Sequence, residues 1–332
     1  MSKIELAIDI GSSHITIYQR GKGVVIKEPN IAIVSNNGKI EILEIGAKAL
    51  SLLGRADRKL KPIYPVSEGV ITQQEVFSSM IKILLSRLST GKIFKPYITA
   101  TALISQCLND VERKNVEKAL YDAGVKEVTL AESPLALFMD NKMRDGLYVN
   151  IGADLTEVSI VTANGIASGY TVNIGGNTFN DLICDRITNN YGVKIGKFTA
   201  EKLKKTIGSM YENDVNADEI RGLNIIDGEM VLIDVNAADV YLSIKSAVDS
   251  IAEVIGTLLN ICPKELANKI VGDGIYLSGG STLLPGLEEY LTAKTKINIV
   301  TMENITNAVA MGGGKLLENK TALSNLSRLK NI

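Results

Sequence analysis

The sequence predicts an α/β protein of two related domains with mixed sheets, and three observations lead there. One phrase is written twice, as Ala7-Ile8-Asp9-Ile10-Gly11-Ser12-Ser13-His14-Ile15-Thr16-Ile17 and as Tyr148-Val149-Asn150-Ile151-Gly152-Ala153-Asp154-Leu155-Thr156-Glu157-Val158. Each copy is an apolar strand, a polar residue, a glycine-centred turn and a return strand with alternating apolar residues. Helix–strand crossovers follow each hairpin, the pattern of α/β domains with mixed sheets. The 332 residues are enough for two domains of ordinary size, and 45% hydrophobic with 22% charged residues is a normal globular balance.

The elements follow in order. Residues 4–10 alternate and turn, and 14–18 return. Residues 23–34 give two short strands broken at Pro29, and another strand covers Ile40–Ile45. The stretch 46–63 reads as basic and irregular, with Arg55, Arg58, Lys59 and Lys61. Val76, Phe77, Met80, Ile81, Leu84, Leu85 and Leu88 recur at helical steps. Asp110 is placed to cap a helix that runs to Ala123 and stops at Gly124, and a strand follows at Glu127–Leu130. The second half repeats the scheme with a hairpin at 147–162, a strand at 166–173, and a Gly175-Gly176 turn into a helix at 178–191. Thr199 caps a helix through Lys205, strands lie near 222–234, and a long helix starts at about Asn236. Its apolar side carries Val240, Ile244, Val248, Ile251, Ile255 and Leu258. The strand Gly274–Ser278 opens into Gly279-Gly280-Ser281-Thr282, Pro285-Gly286 begins a short helix, and a last helix at Ala308–Leu317 holds Gly312, Gly313 and Gly314. A simple dinucleotide-binding fold starts strand–Gly–helix, whereas this chain starts strand–Gly–strand, so that fingerprint does not apply.

Composition excludes several classes. A net charge of -1 gives no global field for nucleic acid or anionic membrane. Cys107, Cys184 and Cys262 are scattered without metal-ligand spacing, as in a reducing cytosol with no disulfide frame. His14 is the single histidine, which removes any multi-histidine metal site and disfavours a histidine-based triad. The N-terminus enters the first strand directly, so no signal peptide is expected, and no window approaches the ~20 apolar residues of a spanning helix. No proline- or serine-rich tether divides the chain, so its domain joints are expected inside the fold.

The glycine turns point to phosphate. Without a Cβ, backbone N–H groups can approach phosphate oxygens closely. Gly11, Ser12 and Ser13 offer such amides and hydroxyl donors, and Gly152 does so in the second copy. Gly279, Gly280, Ser281 and Thr282 form a third turn near a helix start, suited to a sugar–phosphate region. A lone Gly-Ser turn is ordinarily just a hairpin, but repetition at matched strand positions suggests two related domains gripping one phosphate chain.

These motifs resemble the superfamily of actin, the heat-shock chaperone ATPases and the sugar kinases, and within it the MreB family of bacterial actins. The stretch from Asp9 to Pro29 matches the MreB opening almost turn for turn. Glu68-Gly69-Val70-Ile71, Val111-Glu112-Arg113, Thr199-Ala200-Glu201-Lys202-Leu203-Lys204, Ile207-Gly208 and Leu277-Ser278-Gly279-Gly280 follow in the same order over nearly the whole chain. The resemblance implies an actin-like two-lobed fold, with duplicated α/β domains, mixed five-stranded sheets and smaller inserted subdomains. It implies subdomain IA at 1–28, 68–135 and 305–332, IB at 29–67, IIA at 136–175 and 237–304, and IIB at 176–236. It also implies ATP or GTP with Mg²⁺ in the cleft. Gly11, Ser12, Ser13 and His14 match the first phosphate loop, and Gly152, Ala153 and Asp154 the second. Gly176 and Asn177 match a turn near the nucleotide, Glu201 and Lys204 a pair beside base and ribose, and Gly279, Gly280, Ser281, Thr282 and Leu283 the adenosine turn. Asp9 and Asn150 match positions that hold the cation through water.

The chain departs from the family at its hydrolytic positions. The family's second loop reads Asp-Ile-Gly-Gly-Gly-Thr-Thr-Glu. Here Asn150 replaces the aspartate that holds water in the Mg²⁺ shell, which keeps an oxygen but drops the charge. Ala153 adds a methyl where amides approach phosphate, and Asp154 brings a carboxylate to the same place. Leu155 replaces a hydroxyl that helps position the attacking water. Ser133 stands where relatives carry the glutamate or glutamine that orients that water, and Glu132 lies one residue off. Two alternatives are open: hydrolysis is slow or lost, or Glu132 and Asp154 have moved into the vacated roles. Whether the chain is still an ATPase is therefore undecided by sequence. His14, where relatives carry asparagine, is either a catalytic base or a loop side chain donating to phosphate or a neighbour. The basic stretch 55–61 is either a solvated face or a protofilament contact.

Gly91-Lys92-Ile93-Phe94-Lys95-Pro96 sets two large apolar residues between lysines. Ile93 and Phe94 are either a buried loop anchor or, as in the matching MreB loop, a membrane insertion worth about 3–5 kcal/mol before entropy costs. One protomer would bind weakly, and a filament would add many such contacts. The expectation is a nucleotide-binding bacterial actin that forms membrane-associated filaments beneath the inner face of the cell membrane and acts in cell shape. The implied partners are further copies of itself in antiparallel protofilament pairs, the inner membrane surface, paralogous actins and cell-wall elongation proteins, with no nucleic acid. The alternatives are a non-polymerising actin-fold adaptor and a phosphotransferase or chaperone-type ATPase. A sugar kinase would need a catalytic aspartate in a sugar-facing loop, for which no convincing candidate is present. A chaperone would need a substrate-binding domain after the ATPase, which 332 residues are not expected to include.

Overall fold

Two five-stranded sheets carry the chain, and both have the same strand order. The structure is a computed structural model that describes residues 3–36, 40–53, 60–88 and 96–319. The first stretch runs β1 (Lys3–Ile10), β2 (His14–Gln19), β3 (Gly23–Pro29), β4 (Ala32–Asn36), β5 (Ile40–Ile45), α1 (Gly46–Ser51), β6 (Leu60–Ile63), β7 (Val66–Ser67), β8 (Val70–Ile71), α2 (Gln74–Leu88), β9 (Tyr97–Ile104), α3 (Asp110–Asp122), β10 (Glu127–Glu132) and α4 (Ser133–Asp140). The second runs β11 (Gly146–Ile151), β12 (Thr156–Thr162), β13 (Gly165–Val172), α5 (Gly176–Tyr191), β14 (Val193–Lys194), α6 (Lys197–Thr206), β15 (Ala217–Asn224), β16 (Met230–Asn236), α7 (Ala237–Asn260), α8 (Lys264–Asp273), β17 (Ile275–Ser278), α9 (Leu287–Thr295) and β18 (Ile299–Thr301). The helix α10 (Ala308–Glu318) then returns to the first compact unit, which comprises Met1–Arg144 and Asn307–Ile332, while the second is Asp145–Thr306.

In the first unit the sheet order is β10-β9-β1-β2-β3. The β1–β2–β3 meander is antiparallel, and β9 and β10 join in parallel. Alternation gives β1 two distinct faces. Leu6 and Ile8 enter a core with Phe77, Met80, Ile81 and Leu84 of α2. The other face, with Ala7, lies under α10. Gly312 lets α10 touch α4 so closely that an added Cβ would lie 1.7 Å from the Ala136 carbonyl oxygen.

In the second unit the order is β13-β12-β11-β17-β18, with the same antiparallel meander and the same parallel pair. The hairpin duplication seen in the sequence is thus a duplication of whole sheets. Val149, Ile151, Val158 and Ile160 pack with Phe179 and Ile183 of α5 and with Ile244, Val248, Ile251 and Ile255 of α7. Each such fully buried side chain contributes about 1.5–3 kcal/mol relative to exposure.

Several expectations need correction. Residues 46–63 are not wholly irregular, since they include α1 and the edge strand β6. The Glu28 carboxylate accepts from the Ala47 N–H at the start of α1, and Pro62 is tolerated because β6 pairs on one side only. Asp110 does not cap α3. Asn109 does, accepting from the N–H groups of Val111 and Glu112 while Glu112 reaches back to its amide, and Asp110 is the first helical residue. Thr199 likewise lies inside α6, whose N-cap is Gly196. The expected subdomain change at 135/136 falls within α4, and the compact units change over at 144/145. Arg55, Arg58, Lys59, Ile93 and Phe94 lie outside the described residues.

Candidate functional site

The first glycine loop closes the β1–β2 hairpin. The Gly11 N–H donates to the His14 carbonyl at 3.1 Å. Asn30, buried just beyond β3, clasps the loop from behind: its backbone N–H donates to the Ser13 carbonyl at 2.8 Å and its Nδ2 to the Gly11 carbonyl at 2.9 Å. These bonds hold the loop in one shape while Ser13 and His14 remain exposed. The Oδ1 of Asn30 has no partner among the described residues. The Ser13 hydroxyl and His14 Nδ1 are 2.9 Å apart, which gives His14 a local hydrogen-bonding role. Asn30 was missed in the sequence because nothing distinguishes it from an ordinary residue after Pro29.

The second unit gathers Gly152, Ala153, Asp154, Gly176, Asn177, Lys204 and Ser281 into one cluster. The Gly152 N–H donates to the Leu155 carbonyl at 2.8 Å, the same closure as in the first loop. The Gly152 carbonyl accepts from the Gly176 N–H at 3.0 Å and from the Ser281 hydroxyl at 2.9 Å. The Asn177 N–H donates to the Ala153 carbonyl, and its Nδ2 to the Asp154 carboxylate at 2.7 Å. Asp154 is therefore tied to the start of α5. Lys204 Nζ donates to the Gly176 carbonyl at 2.7 Å, and a Cβ on Gly176 would sit 2.9 Å from Ser281 Oγ and 3.2 Å from Lys204 Nζ. Gly279 permits the third approach. Its φ of +98° is in the left-handed region, and a Cβ there would lie 2.3 Å from the Ile151 carbonyl oxygen. Gly280–Leu283 follow as a 3₁₀ turn that leaves Leu283 exposed, and the Thr282 hydroxyl donates back to the Gly279 carbonyl. Glu201 lies one helical turn before Lys205 and pairs with it.

Ser133 is buried at the start of α4, and its hydroxyl donates to the Ile104 carbonyl at 3.1 Å. The Glu132 carboxylate is held by Arg113 at 2.6 Å, so taking the role of a water-orienting acid would mean leaving that partner. Asn150 pairs in register with Glu157 and with Ser278. Its Nδ2 lies 3.5 Å from the Glu157 carboxylate, and Ser278 Oγ lies 3.4 Å from its Oδ1. Glu157 is buried, so an aspartate at 150 would set two carboxylates against each other, and the amide relieves that repulsion. The hydroxyl of Thr156, next to Leu155, is fully buried and donates to the Ile174 carbonyl at 2.6 Å.

The family model described as MreB/Mbl protein matches residues 3–325. The chain belongs to the MreB/Mbl family. It is 30% identical to the cell shape-determining protein MreB of Escherichia coli (strain K12) over 323 residues, which cover 95% of this chain and 93% of that protein. The fold of this MreB/Mbl chain matches that of MreB5 of Spiroplasma citri bound to ADP, with a TM-score of 0.89 at 23% identity over 98% of each chain. It also matches a MamK double helical filament, with a TM-score of 0.83 at 17% identity over 96% of this chain and 99% of MamK. The architecture is therefore actin-like, with two mixed five-stranded sheets.

The donor set of this MreB/Mbl chain fits a nucleotide. The face of Gly176 lies between the half-buried Lys204 ammonium and the Ser281 hydroxyl. No group of three or more carboxylate, histidine or cysteine side chains among the described residues could hold a metal.

Burial pushes the Lys204 ammonium down to about 8, against the raising effect of Glu201. The folded state then binds fewer protons than the unfolded state between about pH 8 and the usual lysine value. Stability from this group therefore rises as pH climbs through that window and is lowest below it. Relative to Lys204→Met, the unaltered chain should gain up to about 3 kcal/mol between pH 7 and pH 10. Denaturant unfolding of both proteins at the two pH values checks this, and parallel pH profiles would refute it.

Proposed function

We propose that this chain is a nucleotide-binding bacterial actin that assembles into filaments, acts in cell-shape determination and hydrolyses its nucleotide slowly or not at all. The observation that carries the reading is the convergence of Gly152, Gly176, Lys204 and Ser281 in one hydrogen-bonded cluster. Nucleotide binding is supported by that cluster and by the ADP-bound MreB5 with the same fold. ATP or GTP is the ligand, with Mg²⁺ held largely by its phosphates. Self-assembly is supported by the MamK filament and by exposed apolar side chains on and between β15 and β16, namely Ile225, Ile226, Met230 and Leu232. A role in cell shape is supported by the MreB kinship.

The expected place of action is the cytoplasmic face of the cell membrane, reached through Ile93 and Phe94. No helix among the described residues is long and apolar enough to cross a membrane. Antiparallel protofilament pairs, paralogous actins and cell-wall elongation proteins are the partners this reading proposes.

Sedimentation followed by negative-stain microscopy tests it, with ATP, GTP or no nucleotide, and with or without anionic liposomes. Nucleotide-dependent pelleting of filaments is expected. If no filaments form under any of these conditions at high protein concentration, the polymerising reading fails and the adaptor alternative takes its place.

A further inference from the structure

The small sheet of the second unit ends on an open strand. Its order is β14-β15-β16, so β16 lies at the edge. Among the described residues, only β15 is hydrogen-bonded to the backbone of residues 230–235. An unpaired strand edge recruits a further strand unless something blunts it. The other edges of this chain are blunted. Val25 of β3, Leu43 of β5 and Ala167 of β13 are each an extra residue that breaks the register with the neighbouring strand. β6 holds Pro62, β10 begins and ends on Glu127 and Glu132, and β7, β8, β14 and β18 are no longer than three residues. β16 reads Met-Val-Leu-Ile-Asp-Val-Asn over seven residues, with no glycine, proline or lysine and an unbroken register against β15.

The exposed face of the same sheet has unbalanced charges. The register sets Glu219 opposite Asp234 and Arg221 opposite Leu232, and all four are exposed. Like charges directly opposite one another on a sheet repel. Glu219, Asp234 and Arg221 form no salt bridge among the described residues.

We propose that β16 is a pairing edge for a second copy of this chain, whose own β16 joins it antiparallel about Ile233 to give one continuous sheet across a two-fold axis. This register uses the whole strand. It sets Met230 opposite Asn236, Val231 opposite Val235, Leu232 opposite Asp234, and Ile233 opposite its own copy. On the inner side β-branched residues meet one another, where Val235 is buried and Val231 and Ile233 are half-buried. On the exposed side the row Arg221, Leu232 of one copy continues into Asp234 and Glu219 of the other. Arg221 is then two strand spacings, about 10 Å, from the partner's Asp234, a gap that the two side chains bridge together over Leu232. The arginine thereby relieves the repulsion between Asp234 and Glu219, and the two-fold axis repeats the contact. This fit between the unpaired base and the unpaired acids is what selects a second copy as the occupant. Such an isologous contact closes on itself, so it forms a dimer without nucleotide and does not depend on the polymerising reading. The plainer account is that β16 and Arg221 are only solvated, which makes the behaviour of β16 independent of protein concentration.

The test follows amide hydrogen exchange over residues 230–236 of the full chain without nucleotide, at about 1 μM and about 200 μM, beside sedimentation velocity. The higher concentration should give a dimer and slow exchange over 230–236 by at least about tenfold. Arg221→Glu should weaken dimer formation by at least about tenfold, and adding Asp234→Arg should restore it by exchanging the two charges. Exchange over 230–236 that is the same at both concentrations would overturn the proposal, and that arm needs no variant to fold. Dimer formation by Arg221→Glu as tight as that of the unaltered chain would also overturn it. Filaments with concentration-independent exchange at β16 would remove this contact alone, whereas a dimer protected at β16 that forms no filaments would remove only the polymerising reading.

Discussion

The triple variant Ser133→Glu, Asn150→Asp, Leu155→Thr is expected to release phosphate from bound nucleotide at least about a hundredfold faster than the unaltered chain. Phosphoryl transfer to water depends on holding the water and the charge in place, and on the proposed reading each of the three positions lacks a group suited to that work. The neighbouring groups are already engaged in other hydrogen bonds, Asp154 included, which accepts from Asn177. Ser133 spends its hydroxyl on the Ile104 carbonyl, Glu132 is paired with Arg113, and Thr156 spends its hydroxyl on the Ile174 carbonyl. The Asn150→Asp change brings a carboxylate against the buried Glu157, so the assay belongs in Mg²⁺, where a cation can offset the repulsion. Phosphate release under saturating ATP measures the effect. Equal rates in the two proteins would show that these positions do not limit hydrolysis.

Gly312→Ala is expected to cost about 3 kcal/mol or more of stability, near the upper end for overpacking a core. The added methyl would lie 1.7 Å from the Ala136 carbonyl oxygen, and backbone cannot swing aside as a side chain can. Its neighbours leave α10 little room to retreat, because Gly313 already meets Leu103 and Ala7, and Gly314 meets Tyr18. Gly256→Ala in α7 is the control. Nothing lies within 4 Å of its added Cβ, so a gain of about 0.5–1 kcal/mol is expected there. Denaturant unfolding compares the two. A Gly312→Ala protein as stable as the control would mean that α4 and α10 can separate freely.

Much of this organisation was legible because it is repeated. A glycine turn between alternating strands gives the same signal at Gly11 and Gly152, and the sheets built on those hairpins share one order. The strand β9 escaped because its residues 98–104 are nearly all apolar or threonine, as in a strand buried on both faces. The helix α4 is apolar in all but its terminal residues and offers no polar face to read. The helix caps slipped by one to three residues because several capping residues adjoin, and tertiary geometry chooses among them. For the candidate site, the resemblance singles out Gly152, Gly176, Lys204 and Ser281, and the structure joins them by hydrogen bonds. Asn30 holds the Gly11–Ser13 loop through its contacts with it, and no local pattern announces such partners.

The central claim is that the binding side of this actin-like chain is kept while its hydrolytic side is weakened. Equilibrium binding of ATP and phosphate release, followed in one sample of the unaltered chain, test it most directly. The account predicts saturable binding with less than about one phosphate released per chain over an hour, since the positioned groups worth two to three orders of magnitude in rate are missing. Saturable binding with steady release of many phosphates per chain in that time would contradict it.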